Sequence, residues 1–203
     1  MNDAMNIPGP AGSLEASLSG PEGESPSRLA ILCHPHPLYG GSMHDMVLDT
    51  LASALRSDGV ASLRFNFRGV GSSEGRHDGN GGEALDLAAV IDWTRANYPE
   101  ASLLLGGYSF GASTVCRWLA DAQHPDLERV ILIAPPVGNL PAPEPDAGIR
   151  TDVFVGDADA FVDQSVLASW QQSNVHLLAG ADHFFAGRWQ DLEAEISTAL
   201  NSA

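Results

Sequence analysis

The sequence predicts an α/β protein: a mostly parallel central sheet with helices on both faces, in a minimal form with no cap domain. Three observations predict it. Short, near-continuous apolar runs alternate along the chain with stretches of helical apolar spacing, as expected of strands buried on both faces and joined by crossover helices. A length of 203 residues suits one domain built on one core. Polar and glycine-rich segments follow the apolar runs, where ligands bind in such sheets.

Taken in order, residues 1–13 are rich in Gly, Pro, Asn and Ala and read as a flexible arm, leaving 14–203 as the single domain. Residues 14–18 alternate like a short strand, and 20–27 carry turn residues. Residues 28–33 form a buried strand running into a loop held by Pro35, Pro37, Gly40 and Gly41. Apolar spacing makes 44–57 a helix, stopped by Asp58-Gly59. A strand over 60–67 leads to the loop 68–75, and a helix over 81–97 ends before Pro99. The strand 103–105 enters the helix 112–122, and 129–134 is the next strand. Five prolines and two glycines make 135–149 a surface excursion. Strand 152–156, helix 162–172, strand 175–178 and helix 188–200 complete the pattern.

Composition narrows the function. The net charge is −16, with ten arginines and no lysine. A nucleic-acid groove and attraction to an anionic membrane are therefore not expected. Cys33 and Cys116 lie in apolar runs and read as buried free thiols. With no apolar run of membrane-spanning length and no signal-like start, the expected setting is cytoplasmic.

The chemistry centres on Gly107-Tyr108-Ser109-Phe110-Gly111, placed between a strand and a helix. That context fits a nucleophile elbow, with glycines two before and two after the serine because the turn is too tight for side chains there. A serine hydroxyl needs a base and an orienter. His183 follows the last strand, and Asp157 or Asp159 follows an intermediate one. With Ser, Asp and His in that chain order, each just beyond the C-terminal end of a parallel strand, all three can converge on one edge of the sheet. The Phe110 N–H and one from the loop after the first buried strand would hold an oxyanion. Leu38 is the choice for that second donor and His36 the reserve, since Pro37 has no N–H. Tyr39, Tyr108, Phe184 and Phe185 are the candidate pocket residues.

His34 and His36 suggest a metal pair, but the supporting ligands are too few, so no metal is expected. The loop 68–71 lacks the Lys-Ser/Thr ending of a phosphate loop, and Arg68 and Asn66 read as structural ties.

These stretches carry a resemblance. Cys33-His34-Pro35-His36-Pro37-Leu38-Tyr39-Gly40-Gly41-Ser42-Met43, the segment 64–75, the elbow, the segment 156–162 and Gly180-Ala181-Asp182-His183-Phe184-Phe185 resemble the α/β-hydrolase superfamily. More narrowly they resemble small capless bacterial serine hydrolases related to dienelactone hydrolases. The resemblance implies a Gly156-x-x-Asp159-x-x-Val162 pattern that selects Asp159 over Asp157. Dienelactone hydrolases proper use cysteine where this chain has Ser109, so their substrate is not carried over. The expectation is a cofactor-free serine hydrolase of small carboxylic esters or thioesters, working through a Ser109–His183–Asp159 triad and an acyl-enzyme. The alternatives are an amide or short-peptide hydrolase with the same triad, or a non-catalytic binding protein keeping the fold. A homodimer is allowed and not demanded.

Overall fold

The computed structural model describes residues 2–20, 25–79, 81–121, 127–146 and 148–202, with the side chains of residues 2 and 3 outside that description. In chain order the elements are β1 (Asn2–Gly9), β2 (Gly12–Ser19), β3 (Arg28–Cys33), α1 (Met46–Ser57), β4 (Ala61–Phe65), α2 (Gly82–Asn97), β5 (Ser102–Tyr108), α3 (Phe110–Ala120), β6 (Leu127–Ile133), β7 (Thr151–Gly156), α4 (Gln164–Leu167), β8 (Asn174–Leu178) and α5 (Trp189–Asn201). They build one eight-stranded sheet in the order β1-β2-β4-β3-β5-β6-β7-β8. The β1–β2 and β2–β4 pairings are antiparallel, and every pairing from β4 through β8 is parallel.

The helix layers follow from chain direction. From β3 to β4 the chain steps one way along the sheet, and from β4 to β5 to β6 it steps the other. Right-handed crossovers therefore put α1 on one face and α2 and α3 on the other. Accordingly α2 packs on α3, while α5 returns to pack on α1. The parallel strands inside the sheet are buried because both faces are covered; Leu104, Leu105, Val130, Leu132 and Phe154 are inaccessible to solvent, whereas the edge strand β8 is largely exposed. The reversal of strand order at β3 and β5 opens a crevice at their C-terminal ends, and the Gly107–Gly111 turn sits there.

Two expectations are corrected. The segment read as a flexible arm is the edge strand β1, in register with β2 from Asn2↔Ser19 to Gly9↔Gly12. Ile7 pairs with Leu14, and both are fully buried. Pro8 hides the strand from propensity reasoning, yet an edge strand tolerates proline. The helix expected over 162–172 is the single turn α4. Beyond it, the Glu144 carboxylate accepts the N–H groups of Gln171, Gln172 and Ser173 at 2.6–3.1 Å, holding the chain out of the helix. The turn expected over 20–27 lies partly, and the end of the 112–122 helix at Ala122 wholly, outside the described residues.

Arg68 and Asn66 are ties, as their positions suggested. The Arg68 guanidinium donates to the fully buried Asp86 carboxylate at 2.7 Å and to the Gly82 carbonyl at 2.7 Å, fastening the loop after β4 to α2. Asn66 accepts from the Met43 N–H and donates to Glu15, joining the loops after β3 and β4 to strand β2.

Candidate active site

The elbow is built as a strained turn. Ser109 has φ 53° and ψ −115°, a region that favours glycine, and its N–H donates to the Ile133 carbonyl at 2.9 Å. The flanking glycines are required by close approach. A Cβ on Gly107 would lie 2.6 Å from the Ala112 nitrogen, and one on Gly111 would lie 2.1 Å from the Cys33 carbonyl oxygen. The strand end, the turn and the N-terminus of α3 are thus pressed against the end of β3.

Three loops meet at the serine. His183 follows β8, and its Nε2 lies 2.9 Å from the Ser109 hydroxyl oxygen. Its Nδ1 lies 2.8 Å from Asp159 Oδ2. The other carboxylate oxygen of Asp159 accepts the Phe161 N–H at 2.8 Å. Asp159 and His183 are buried, at 5% and 6% exposure. A buried carboxylate on Nδ1 fixes the imidazole tautomer that leaves Nε2 free to accept. Asp157 is not part of this chain of bonds; it is exposed and accepts the Gly180 N–H at 2.7 Å.

The remaining site residues divide. As the first residue of α3, Phe110 has an N–H with no acceptor within the helix, directed with the helix dipole toward the serine turn. The Leu38 N–H, expected as the second oxyanion donor, is engaged elsewhere: it donates to His36 Nδ1 at 3.2 Å within the 3-10 turn Pro37–Tyr39. Among the described residues the His36 N–H has no such partner, and the His36 ring packs 4.8 Å from the Phe110 ring. Tyr39 is exposed and leans on His36. Tyr108 is no pocket wall; it is buried and donates its hydroxyl to the His183 carbonyl at 3.0 Å, bracing the histidine from behind. Phe185 is no pocket wall either. It adopts φ 51° and is fully buried, while its neighbour Phe184 is exposed beside the His183 ring.

Sequence reasoning passed over two features here. Phe161 lies 4.7 Å, ring to ring, from His183; its place two residues after the acid was the available signal. His77, whose Nδ1 lies 2.6 Å from the buried Glu83, packs against His36 and Phe110. No local pattern marked that pair.

His34 is occupied structurally. It is fully buried, Nδ1 lies 2.6 Å from the Pro35 carbonyl, and Nε2 accepts the Phe67 N–H at 3.1 Å. Burial pushes its pKa down to about 4. The unfolded chain would bind a proton on this imidazole near its ordinary value, about 6.5, whereas the folded protein does so only near 4. Its contribution is therefore fully present above about pH 6.5 and is lost as pH falls toward 4. Urea denaturation at pH 7.5 and 5.0 should show wild type losing about 2 kcal/mol more than His34→Gln; equal losses would refute this assignment.

Comparison with known proteins finds relatives of this chain. Residues 25–149 match the family model described as serine aminopeptidase, S33. A solved lid-less α/β serine hydrolase from Xanthomonas campestris is 36% identical, with a TM-score of 0.88 over 98% of this chain and 93% of its own. An uncharacterised protein of Rickettsia prowazekii is 34% identical over 95% of this chain and 86% of its own length. A dienelactone hydrolase from Anabaena variabilis, at 16% identity, shares the fold with a TM-score of 0.74 over 98% of this chain and 95% of its own. Strand order, the capless crevice and these matches together place the chain in the α/β-hydrolase superfamily, as a member of the serine aminopeptidase S33 family of hydrolases.

Proposed function

We propose that this protein is a serine hydrolase that cleaves small carboxylic esters or thioesters through an acyl-enzyme. The observation that carries the reading is the continuous chain from the Ser109 hydroxyl through His183 to buried Asp159, set on a strained elbow. Ser109 Oγ attacks the carbonyl carbon while His183 Nε2 takes the hydroxyl proton. The N–H groups of Phe110 and His36 hold the oxyanion, and the α3 dipole favours its charge. His183 then returns the proton to the departing alcohol or thiol. Water, activated by the same imidazole, releases the acid. Nucleophile, base and orienter are all side chains of this protein, so the scheme needs no cofactor.

An amide or short-peptide substrate uses the same groups, and the family's description favours keeping that alternative in view. Matched p-nitrophenyl ester and anilide substrates separate the two by rate. The test of the triad itself is a fluorophosphonate probe read by intact mass. Wild type should gain one adduct, and His183→Ala should label at least about a hundredfold more slowly. Folded wild type that stays unlabelled would leave a non-catalytic protein with a hydrolase fold.

A further inference from the structure

We propose that the cleft holds the leaving-group half of its substrate against Phe161 and Phe184, and that this half is a neutral aromatic or bulky apolar alcohol. The inference rests on the serine-hydrolase reading and assigns a side to its substrate. Both rings border the imidazole: Phe161 lies 4.7 Å from His183 and Phe184 lies 5.5 Å from it, with the two phenyl rings 6.1 Å apart. They are 50% and 58% exposed.

One exposed phenylalanine needs no explanation. These two are held in place at both ends of their peptide units. The Phe161 N–H donates to Asp159, and its carbonyl accepts from Asn139 at 2.8 Å. The Phe184 N–H donates to Asp182 at 3.0 Å, and its carbonyl accepts from the Trp189 indole at 3.3 Å. Fixed backbones with exposed apolar rings are a prepared surface, while the adjacent Phe185 supplies the core.

Reaction geometry decides which half of the substrate meets that surface. The same Nε2 that accepts the serine proton later donates it to the leaving oxygen, so the leaving group departs alongside the imidazole. The carbonyl oxygen faces away from it, toward the backbone N–H donors. Rings that flank His183 therefore contact the alcohol half. The charges of the two loops set its sign: besides Asp159 and His183, segments 157–163 and 179–188 carry Asp157, Asp163, Asp182 and Arg188. The one cation, Arg188, is paired with Asp191, so the carboxylates disfavour an anionic alcohol.

Two ester series test this on the full chain. One holds the acyl group at acetyl and varies the alcohol through ethyl, cyclohexyl and benzyl. The other holds the alcohol at ethyl and lengthens the acyl group from acetyl to hexanoyl. From ethyl to benzyl acetate, kcat/KM should rise about tenfold or more, the low end of what an apolar group gains in a hydrophobic site. The acyl series should rise less. The double variant Phe161→Ala, Phe184→Ala should bring the benzyl-to-ethyl ratio to about 2 or below, while Val175→Ala, on β8, leaves the ratio as in wild type. Fluorophosphonate labelling of each protein reports separately on the assembled triad. A labelled enzyme with a flat alcohol series, or with a ratio unmoved in the double variant, overturns the inference. A gain that follows acyl length instead would put the rings on the acyl side and also overturn it. Absent labelling of wild type would sink the hydrolase reading itself.

Discussion

Ser109→Ala is expected to lower ester turnover by about 10⁵- to 10⁶-fold and to abolish fluorophosphonate labelling, while the protein stays folded. Loss of a triad serine removes the covalent route and leaves only oxyanion stabilisation and binding, so the residual rate should still exceed that in water. Folding should survive because the hydroxyl's only protein partner among the described residues is His183, and the Cys33–Gly111 contact that seats the turn is backbone. The strain at φ 53° is borne by any side chain with a Cβ, so alanine inherits it. Ser109→Gly should relieve it and gain stability of the order of 1 kcal/mol in urea denaturation, with the same loss of turnover. A Ser109→Ala protein that keeps more than a few per cent of wild-type activity would show that another group is the nucleophile.

Asp159→Asn is expected to cost about 10⁴-fold in kcat, against less than about threefold for Asp157→Asn. The Asp159 carboxylate accepts twice, from His183 Nδ1–H and from the Phe161 N–H. An asparagine keeps the Phe161 bond by turning its oxygen there, which presents an amide N–H to Nδ1. The imidazole must then carry its proton on Nε2, where it cannot accept one from Ser109. Among the described residues the Asp157 side chain accepts only the Gly180 N–H, and an asparagine oxygen can accept that bond equally well. Pre-steady-state measurement of the acylation burst on both variants separates loss of the nucleophile's activation from a change in binding. Comparable losses in the two variants would mean that the acid was assigned to the wrong residue.

Local sequence determined much of this protein's strand and helix order. Apolar runs are nearly unbroken, so the parallel strands from β3 to β8 and the helices between them, α4 excepted in its length, could be placed in order. The serine, acid and histidine were legible because each follows a strand end, and parallel strands deliver all their C-termini to one edge. Residue spacing left Asp157 and Asp159 open, and only the family-like pattern preferred the second. Tertiary structure decided what depends on partners distant along the chain. β1 exists because β2 supplies a ladder and a place for Ile7, which propensity at Pro8 and Gly9 does not reveal. The helix after β7 is a single turn, and past it Glu144, brought in by the 135–149 excursion, takes the N–H groups of Gln171, Gln172 and Ser173 that a longer helix would need. Leu38 loses its N–H to the His36 ring, and Phe184 parts from Phe185 at a positive φ. A backbone donor's direction, and which of two adjacent rings faces water, are set by the packing around them. That information is spread over several loops and has no counterpart in the periodicity of any one segment.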